Sequence, residues 1–399
     1  MILAVATLTQ AVAMGVTLGV FPLVLEHLEV AFDASRSQIS VGPILIMFAL
    51  ATAGIIAGGA LDKGQIRRAM LFGTGLLTTA LLVAWAAPNL GVLAIAAVLA
   101  GFSIPFIGPL AGMTLVTRSF SENQGRAFGI VSMGPALGMG FFAGTAGFLL
   151  QRMEWRSVYL LLAGVAVLLL VPAIWFVIPS QLDAPVIRSK SADSDTPIEH
   201  PSVSPTEMTI ADVVRRPVFW LSALVFALSA GIATGWVNHV AAFFAEFDMT
   251  EGQIATLVAA QFWMGVPGAL MFGTLSDRVS VTKLYLAMLG LEAAAFAAFG
   301  SGISTFAVSI VGVAFGMVVG GLIPLYMALL GKRLAPQILG RAMGLSNLVM
   351  LPVMAISTIG AALIYESQGS YQPAALVFSG GLLVAIASLL LSNRSDSVS

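Results

Sequence analysis

Apolar runs of about twenty residues, each closed by a short polar stretch, recur from one end of the chain to the other. Runs of that length match the roughly 30 Å hydrocarbon core of a bilayer at about 1.5 Å per helical residue. The pattern predicts twelve membrane-spanning helices. Six lie near 3–28, 39–61, 69–87, 90–117, 126–149 and 157–179, and six near 217–246, 253–275, 282–302, 305–331, 341–365 and 372–392. The weak ten-residue alternation of a membrane barrel is absent. Between the two sets, 180–215 carries Asp183, Arg188, Lys190, Asp193, Asp195, Glu199 and prolines 185, 197, 201 and 205. Such a stretch cannot bury enough apolar surface to fold alone, and it is predicted to be a flexible linker. The expected plan is a six-helix bundle over 1–179, the linker, a second six-helix bundle over 216–393 and a short tail over 394–399.

The two sets repeat one another. Gly58-Gly-Ala-Leu-Asp62-Lys63 is echoed by Gly273-Thr-Leu-Ser-Asp277-Arg278, 215 residues on. The same shift lays Phe32-Asp33 on Phe247-Asp248, Gln38-Ile39 on Gln253-Ile254 and Gly101 on Gly316. It also lays Pro109-Leu110 on Pro324-Leu325, Arg118 on Arg333 and Gly125-Arg126-Ala127 on Gly340-Arg341-Ala342. One unit has been used twice, so the two bundles are expected to be pseudo-symmetric.

Composition turns the helix pattern into a membrane assignment. The 399 residues are 58% hydrophobic and 9% charged, against roughly a quarter charged in soluble domains. This is the composition of an all-α integral membrane protein. With no cysteine, disulfides, thiolate metal sites and cysteine nucleophiles are excluded together. No basic stretch precedes the first apolar run, so a cleaved signal peptide is not expected. That run opens at Ile2 without a polar lead-in, which leaves open whether Met1 is the natural start.

Of the 18 Lys and Arg residues, 15 fall on one side of the predicted spans, and only Arg36, Arg152 and Arg156 on the other. The positive-inside bias then places both termini and the linker in the cytoplasm. A bacterial cytoplasmic membrane is the expected location.

Two six-helix halves in parallel duplication, joined by a charged linker, resemble the major facilitator superfamily. The Gly58/Asp62 and Gly273/Asp277 stretches are similar to that superfamily's conserved loop motif, with Gln65 and Ser280 standing where a glycine is usual. Within the superfamily, four stretches are similar to the oxalate/formate antiporters and monocarboxylate porters. They are Phe32-Asp-Ala-Ser-Arg-Ser-Gln-Ile-Ser40, Arg118-Ser-Phe-Ser-Glu-Asn-Gln-Gly-Arg-Ala-Phe-Gly129, Trp155-Arg-Ser-Val-Tyr159 and Asn238-His-Val-Ala-Ala-Phe-Phe244. The resemblance implies a carrier of small carboxylates. Oxalate-type carriers hold a basic residue in spans 8 and 11, where this chain offers only Gln261 and Asn347.

The resemblance further implies a conformational latch at the linker side. Asp62 would face the start of span 11 near Arg341, and Asp277, beside Arg278, the start of span 5 near Arg126. Carboxylates suit the positive end of a helix, and Gly58 and Gly273 are expected to allow close helix approach. The plainer reading is that these charges only set topology. Gly134-Pro135-Ala-Leu-Gly138 in span 5 resembles the Gly-Pro motif of superfamily antiporters, because proline removes a backbone hydrogen bond and creates a hinge; ordinary glycine packing is the alternative.

Polar groups inside spans supply the candidate site. His239, beside Asn238 in span 7, is the first choice, since imidazole exchanges a proton near neutral pH; Gly231 and Gly235 are expected to let that helix bend around a ligand. Gln10, Gln261, Tyr326 and Asn347 are candidates for hydrogen bonds to substrate, and Trp236 and Trp263 for apolar walls. Glu26 and His27 at the end of span 1, and Glu292 within span 9, are the remaining proton candidates. Each has a structural alternative in helix–helix bonding or interfacial solvation.

These observations predict a secondary transporter working by alternating access, with a small carboxylate and either proton coupling or exchange. Proton-coupled efflux of amphipathic compounds is the alternative, favoured by the uncharged pocket. No His-Glu-x-x-His, Gly-x-Ser-x-Gly or Walker loop occurs, so an enzyme or an ATP-driven pump is not expected. No cofactor, no metal and no nucleic acid is expected. The expected partners are the bilayer, the solute and a proton or counter-solute, with the chain acting as a monomer.

Overall fold

Backbone amides and carbonyls within a bilayer find no water, so each apolar run must satisfy its own hydrogen bonds by forming a helix. In a computed structural model, residues 1–62, 65–119, 124–179, 215, 217–276, 278–333 and 339–396 are described. Twelve apolar helices of membrane length result: span 1 Ile2–Phe32, span 2 Arg36–Leu61, span 3 Ile66–Ala86, span 4 Leu90–Ser119, span 5 Gly129–Leu150 and span 6 Trp155–Val177. They continue as span 7 Phe219–Val237, span 8 Glu251–Ser276, span 9 Val281–Gly300, span 10 Thr305–Lys332, span 11 Ala342–Gln368 and span 12 Gln372–Leu391. No strand occurs among the described residues. The linker expected over 180–215 lies outside the described residues, apart from Arg215.

The packing is that of two related bundles. Span 1 lies against span 5, 2 against 4 and 3 against 6; in the second half 7 lies against 11, 8 against 10 and 9 against 12. Spans 5 and 8 join the halves most extensively. The end of the molecule that carries the 1–2, 5–6, 7–8 and 11–12 links is called distal below. The opposite, terminal end carries the chain termini.

The repeat is written into local geometry. Asp33 and Asp248 both take left-handed backbone, at φ 47° and 54°. Ser35 and Gln38 close a capping box at the start of span 2, and Thr250 and Gln253 close its counterpart at the start of span 8. Gly101 meets the backbone of Ile46, as Gly316 meets that of Gln261, and no Cβ fits at either glycine.

Glycines also decide which helices touch. Gly134 and Gly138 turn toward Thr7 and Ala11 of span 1, whereas Gly140, Gly144 and Gly147 turn toward Trp263, Ala259 and Ala255 of span 8. Span 5 is broken at Met133, directly before the Gly134–Pro135 pair. Span 1 widens into a π turn over Gly15–Gly19, opposite Gly138 and Met139. The helix of span 7 runs unbroken to Val237 and restarts at Val240. The break falls at Asn238–His239 and not at Gly231 or Gly235, which pack on span 11, at Val353 and Ser357.

Candidate functional site: the distal joint between the halves

The distal joint starts from a charge that the pattern makes expensive. Arg36 opens span 2 on the side poor in basic residues and is 7% exposed. A buried guanidinium needs partners for its fixed fork of donors. Glu29, one turn from the end of span 1, takes two of them: Nη2 donates to Oε2 at 2.7 Å and Nε to Oε1. Bidentate pairing of this kind is strong and directional. The exposed Glu26 adds an ion pair at 3.6 Å.

The remaining donors cross to the other half. Arg36 Nη1 donates to the hydroxyl of Tyr371 at 3.1 Å, and the guanidinium lies 4.1 Å over the Tyr365 ring. Beside it the Ser37 amide donates to Glu366 Oε1 at 2.7 Å. Glu246, at the end of the span 7 extension, holds the loop that carries Tyr371, accepting from the Tyr371 amide at 2.7 Å and the Ser370 hydroxyl at 2.8 Å.

His239 completes the chain. Its Nε2 faces the Thr358 carbonyl at 2.9 Å, an acceptor only, so the proton sits on Nε2. Its Nδ1 is then an acceptor, 2.9 Å from the Tyr371 hydroxyl. The sequence of bonds runs Arg36 to Tyr371 oxygen, Tyr371 hydroxyl to His239, His239 to span 11. Adding a proton to Nδ1 takes away the acceptor of the Tyr371 hydroxyl and places a second positive charge across one oxygen from Arg36. The joint is thus built for a neutral histidine. Asn238 alongside donates to the Thr358 hydroxyl at 3.3 Å. Trp236 supports the wall from behind, packed among Phe243, Phe296, Phe299, Phe378 and Tyr371.

A second distal contact between the halves surrounds the start of span 8. Here Gln151 approaches Gly252, and a cavity of about 60 Å³ is lined by Glu26 and His27 from one half and Glu251 and Ala241 from the other. His27 Nδ1 is buried there without a hydrogen-bond partner.

The other candidates sit elsewhere. Gln10 is fully buried between spans 1, 4 and 5, against Gly112 and Gly134, with both amide atoms unpartnered. Gln261 is buried on span 10 with Oε1 unpartnered. Tyr326 is buried within the second half, bonded to Ser346 and stacked on Phe226 at 4.3 Å. Glu292 is buried in the same half and accepts from Ser229 at 2.6 Å, its other oxygen unpartnered. Asn347 is exposed. Trp263 is 48% exposed at the span 5–span 8 contact, its Nε1 donating to the Leu137 carbonyl at 3.3 Å. Trp236, expected as a cavity wall, is instead fully buried in the aromatic cluster.

At the terminal end, Asp277 and the side chains of Asp62, Arg126 and Arg341 lie outside the described residues. Arg278 is exposed. Among the described residues, nothing stands within 4 Å of a Cβ built on Gly58, and only Pro324 Cβ, at 3.9 Å, on Gly273. Sequence reasoning missed Glu29, Arg36, Tyr365, Glu366 and Tyr371. The available signal was an arginine on the arginine-poor side, seven residues from a glutamate.

Twelve apolar helices of membrane length in two related halves, packed on glycine contacts and joined by a polar bridge at one end, define a polytopic membrane protein. The Major Facilitator Superfamily model matches residues 3–245 and 239–398, and the chain belongs to that family. Membership identifies a transport protein rather than an enzyme. The chain is 25% identical over 224 residues to the MFS-type transporter mpsC of Macrophomina phaseolina, a match covering 51% of this chain and 43% of that one. The chain thus spans less than half the length of that relative. Among solved structures it resembles a bacterial homologue of the human lysosomal transporter Spinster. In an inward-facing, unoccupied conformation the TM-score is 0.78 at 14% identity, covering 98% of this chain and 96% of that one. In the inward-facing, occupied conformation it is 0.75 at 13% identity, covering 98% and 95%.

Proposed function

We propose that the protein is a secondary transporter that moves a small organic carboxylate by alternating access, coupled to a proton carried at His239. The observation that carries this reading is the bonded chain from Arg36 through Tyr371 to His239, which ties one half to the other at a single end. Distal is read as outside, from the charge partition of 15 against 3, with both termini in the cytoplasm of a bacterial cell. The state is read as inward-facing, since the distal bridge is made while no described residue stands against Gly58.

Protonation of His239 loosens the Tyr371 bond and favours outward opening. Once released from Tyr371, Arg36 becomes the positive partner for an incoming carboxylate, in competition with Glu29. Asp62 and Asp277, with Arg126 and Arg341, form the cytoplasmic latch of the outward-facing state, and Gly134, Pro135 and Gly138 give span 5 its hinge. Asn238, Gln10, Gln261, Tyr326 and Asn347 supply further hydrogen bonds along the path, and Glu292 stays bonded to Ser229 inside the second half. The unit is a monomer.

The test uses purified protein in liposomes with a trapped pH-sensitive dye, comparing wild type with His239→Ala and Asp277→Asn. Proton movement on adding small monocarboxylates, lost in both variants, is the expected result. Movement unchanged in His239→Ala removes the histidine from the path. A second reading, efflux of amphipathic compounds, is favoured by the half-exposed Trp263 ring at the span 5–span 8 contact; proton movement with such compounds alone would replace the carboxylate.

A further inference from the structure

The first half contains a cavity of about 370 Å³ that has no part in the distal bridge. It lies among spans 1, 2, 3, 4 and 6, and its size and apolar walls are those of a ligand pocket. Its origin is legible in span 4. Gly101 brings that helix onto Ile46 of span 2 and closes the floor, while Ala94, Ala97 and Ala100 above are too small to fill the gap. The lining runs along span 4 from Leu90 to Ala100, about 15 Å at 1.5 Å per residue. That depth is one leaflet of a core roughly 30 Å thick. The mouth is distal, at the exposed Gln38, Val41 and Gly91.

The polar content is small and mostly spent: the Thr17 hydroxyl donates to the Ala13 carbonyl, and the Gln38 carbonyl oxygen closes the capping box. An apolar cavity of this kind stays dry and favours hydrocarbon. A cation stands at the same level. Arg156 lies one turn before Tyr159, which lines the cavity, and its Nη2 donates at 3.0 Å to the Ala87 carbonyl, three residues before Leu90. Its guanidinium rests 4.4 Å over the Trp155 ring and is only partly buried, leaving donors for an anion.

We propose that this cavity holds one acyl chain of an anionic phospholipid from the distal leaflet, with the head group at Arg156. The site is separate from the path between the halves and does not depend on the identity of the transported solute.

The experiment is photolabelling of the full chain in nanodiscs with a phosphatidylglycerol that carries a mid-chain diazirine, followed by peptide mapping. Labels are expected on Leu45, Ala94 and Ala97 inside the cavity, and Ala97→Phe should reduce them about tenfold. Labelling of Ile95, which faces outward at 56% exposure, should stay. Labels confined to Ile95, or lining labels unchanged in Ala97→Phe, would overturn the site. If Ala97→Phe fails to fold, the wild-type map and the milder Ala94→Leu decide. A phosphatidylcholine with the same chain should label the lining less than the anionic probe, and the difference should vanish in Arg156→Gln; equal labelling in wild type would overturn the head-group assignment.

Discussion

The distal face has two corners that descend from one ancestral contact, and they have diverged. At the first, the start of span 2 meets the end of span 11: Arg36 reaches Tyr371, and the Ser37 amide reaches Glu366. At the second, 215 residues away in register, the start of span 8 meets the end of span 5. Glu251 replaces Arg36, Gly252 replaces Ser37 and Gln151 replaces Glu366. The capping boxes and the left-handed aspartates are kept at both corners. The cross-half chemistry is not. One corner became a buried, charge-assisted bridge, the other a small cavity beside an imidazole whose Nδ1 is unpartnered. Duplication preserved what each half needs to fold and left free what the two halves need from each other.

The largest effect should come from removing the centre of the strong corner. Arg36→Ala unties Tyr371 and Tyr365; a hydrogen bond from a charged donor (about 1.5–3 kcal/mol) and a cation–π contact (about 0.5–2 kcal/mol) are lost across the halves, so the distal-closed state should lose a factor of roughly thirty or more. Because the chain is free of cysteine, a single Ala241→Cys reports this directly: its reaction with an impermeant maleimide should accelerate sharply in the Arg36→Ala background. An unchanged rate would show that the bridge does not hold the face shut.

Next in size is Tyr371→Phe, which keeps the ring on Tyr365 and Trp236 but deletes the hydroxyl shared by Arg36 and His239. Two buried groups lose a partner at about 1–3 kcal/mol each, so the same thiol should open about tenfold or more. The pH dependence of labelling sharpens the comparison further. Relative to a freely exposed cysteine at the same pH, wild type should label faster as pH falls, because a proton on His239 opposes the bridge; Tyr371→Phe and His239→Ala should flatten that profile. A slope that survives in both would move the proton to another group, with His27 the first to examine.

The weak corner should barely respond. Glu251→Gln and His27→Ala are each expected to shift labelling less than about threefold, as for surface substitutions away from a network. Effects equal to those of Arg36→Ala would erase the distinction between the corners.

Much of this was readable in the chain, and the unreadable part has a physical cause. Span length and the 215-residue register follow from local pattern, because a helix in lipid satisfies its own backbone. Gly101 and Gly316 could be paired from sequence alone, and the fold uses both in the same way. Arg36 reads from sequence only as one of three basic residues on its side. Its partner Tyr371 lies 335 positions away, and no periodicity encodes a contact between halves. His239 was found as an ionisable group in a span, whereas its tautomer is set by a carbonyl and a hydroxyl from other helices. The packing of Gly231 and Gly235 was equally hidden: glycine in a membrane helix serves close packing as readily as bending, and here span 11 uses the space.

The glycine strip of span 5 has a mechanical consequence. Gly140, Gly144 and Gly147 present bare backbone to span 8 across the seam between the moving bodies, so few side-chain teeth mesh there and few must be lifted out of register when one body rolls on the other. Span 5 offers span 8 a smooth face there, while the Arg36 catch ties the halves at the rim, so in the carrier cycle proposed above that catch is the place where a proton on His239 would set the pace of the whole machine.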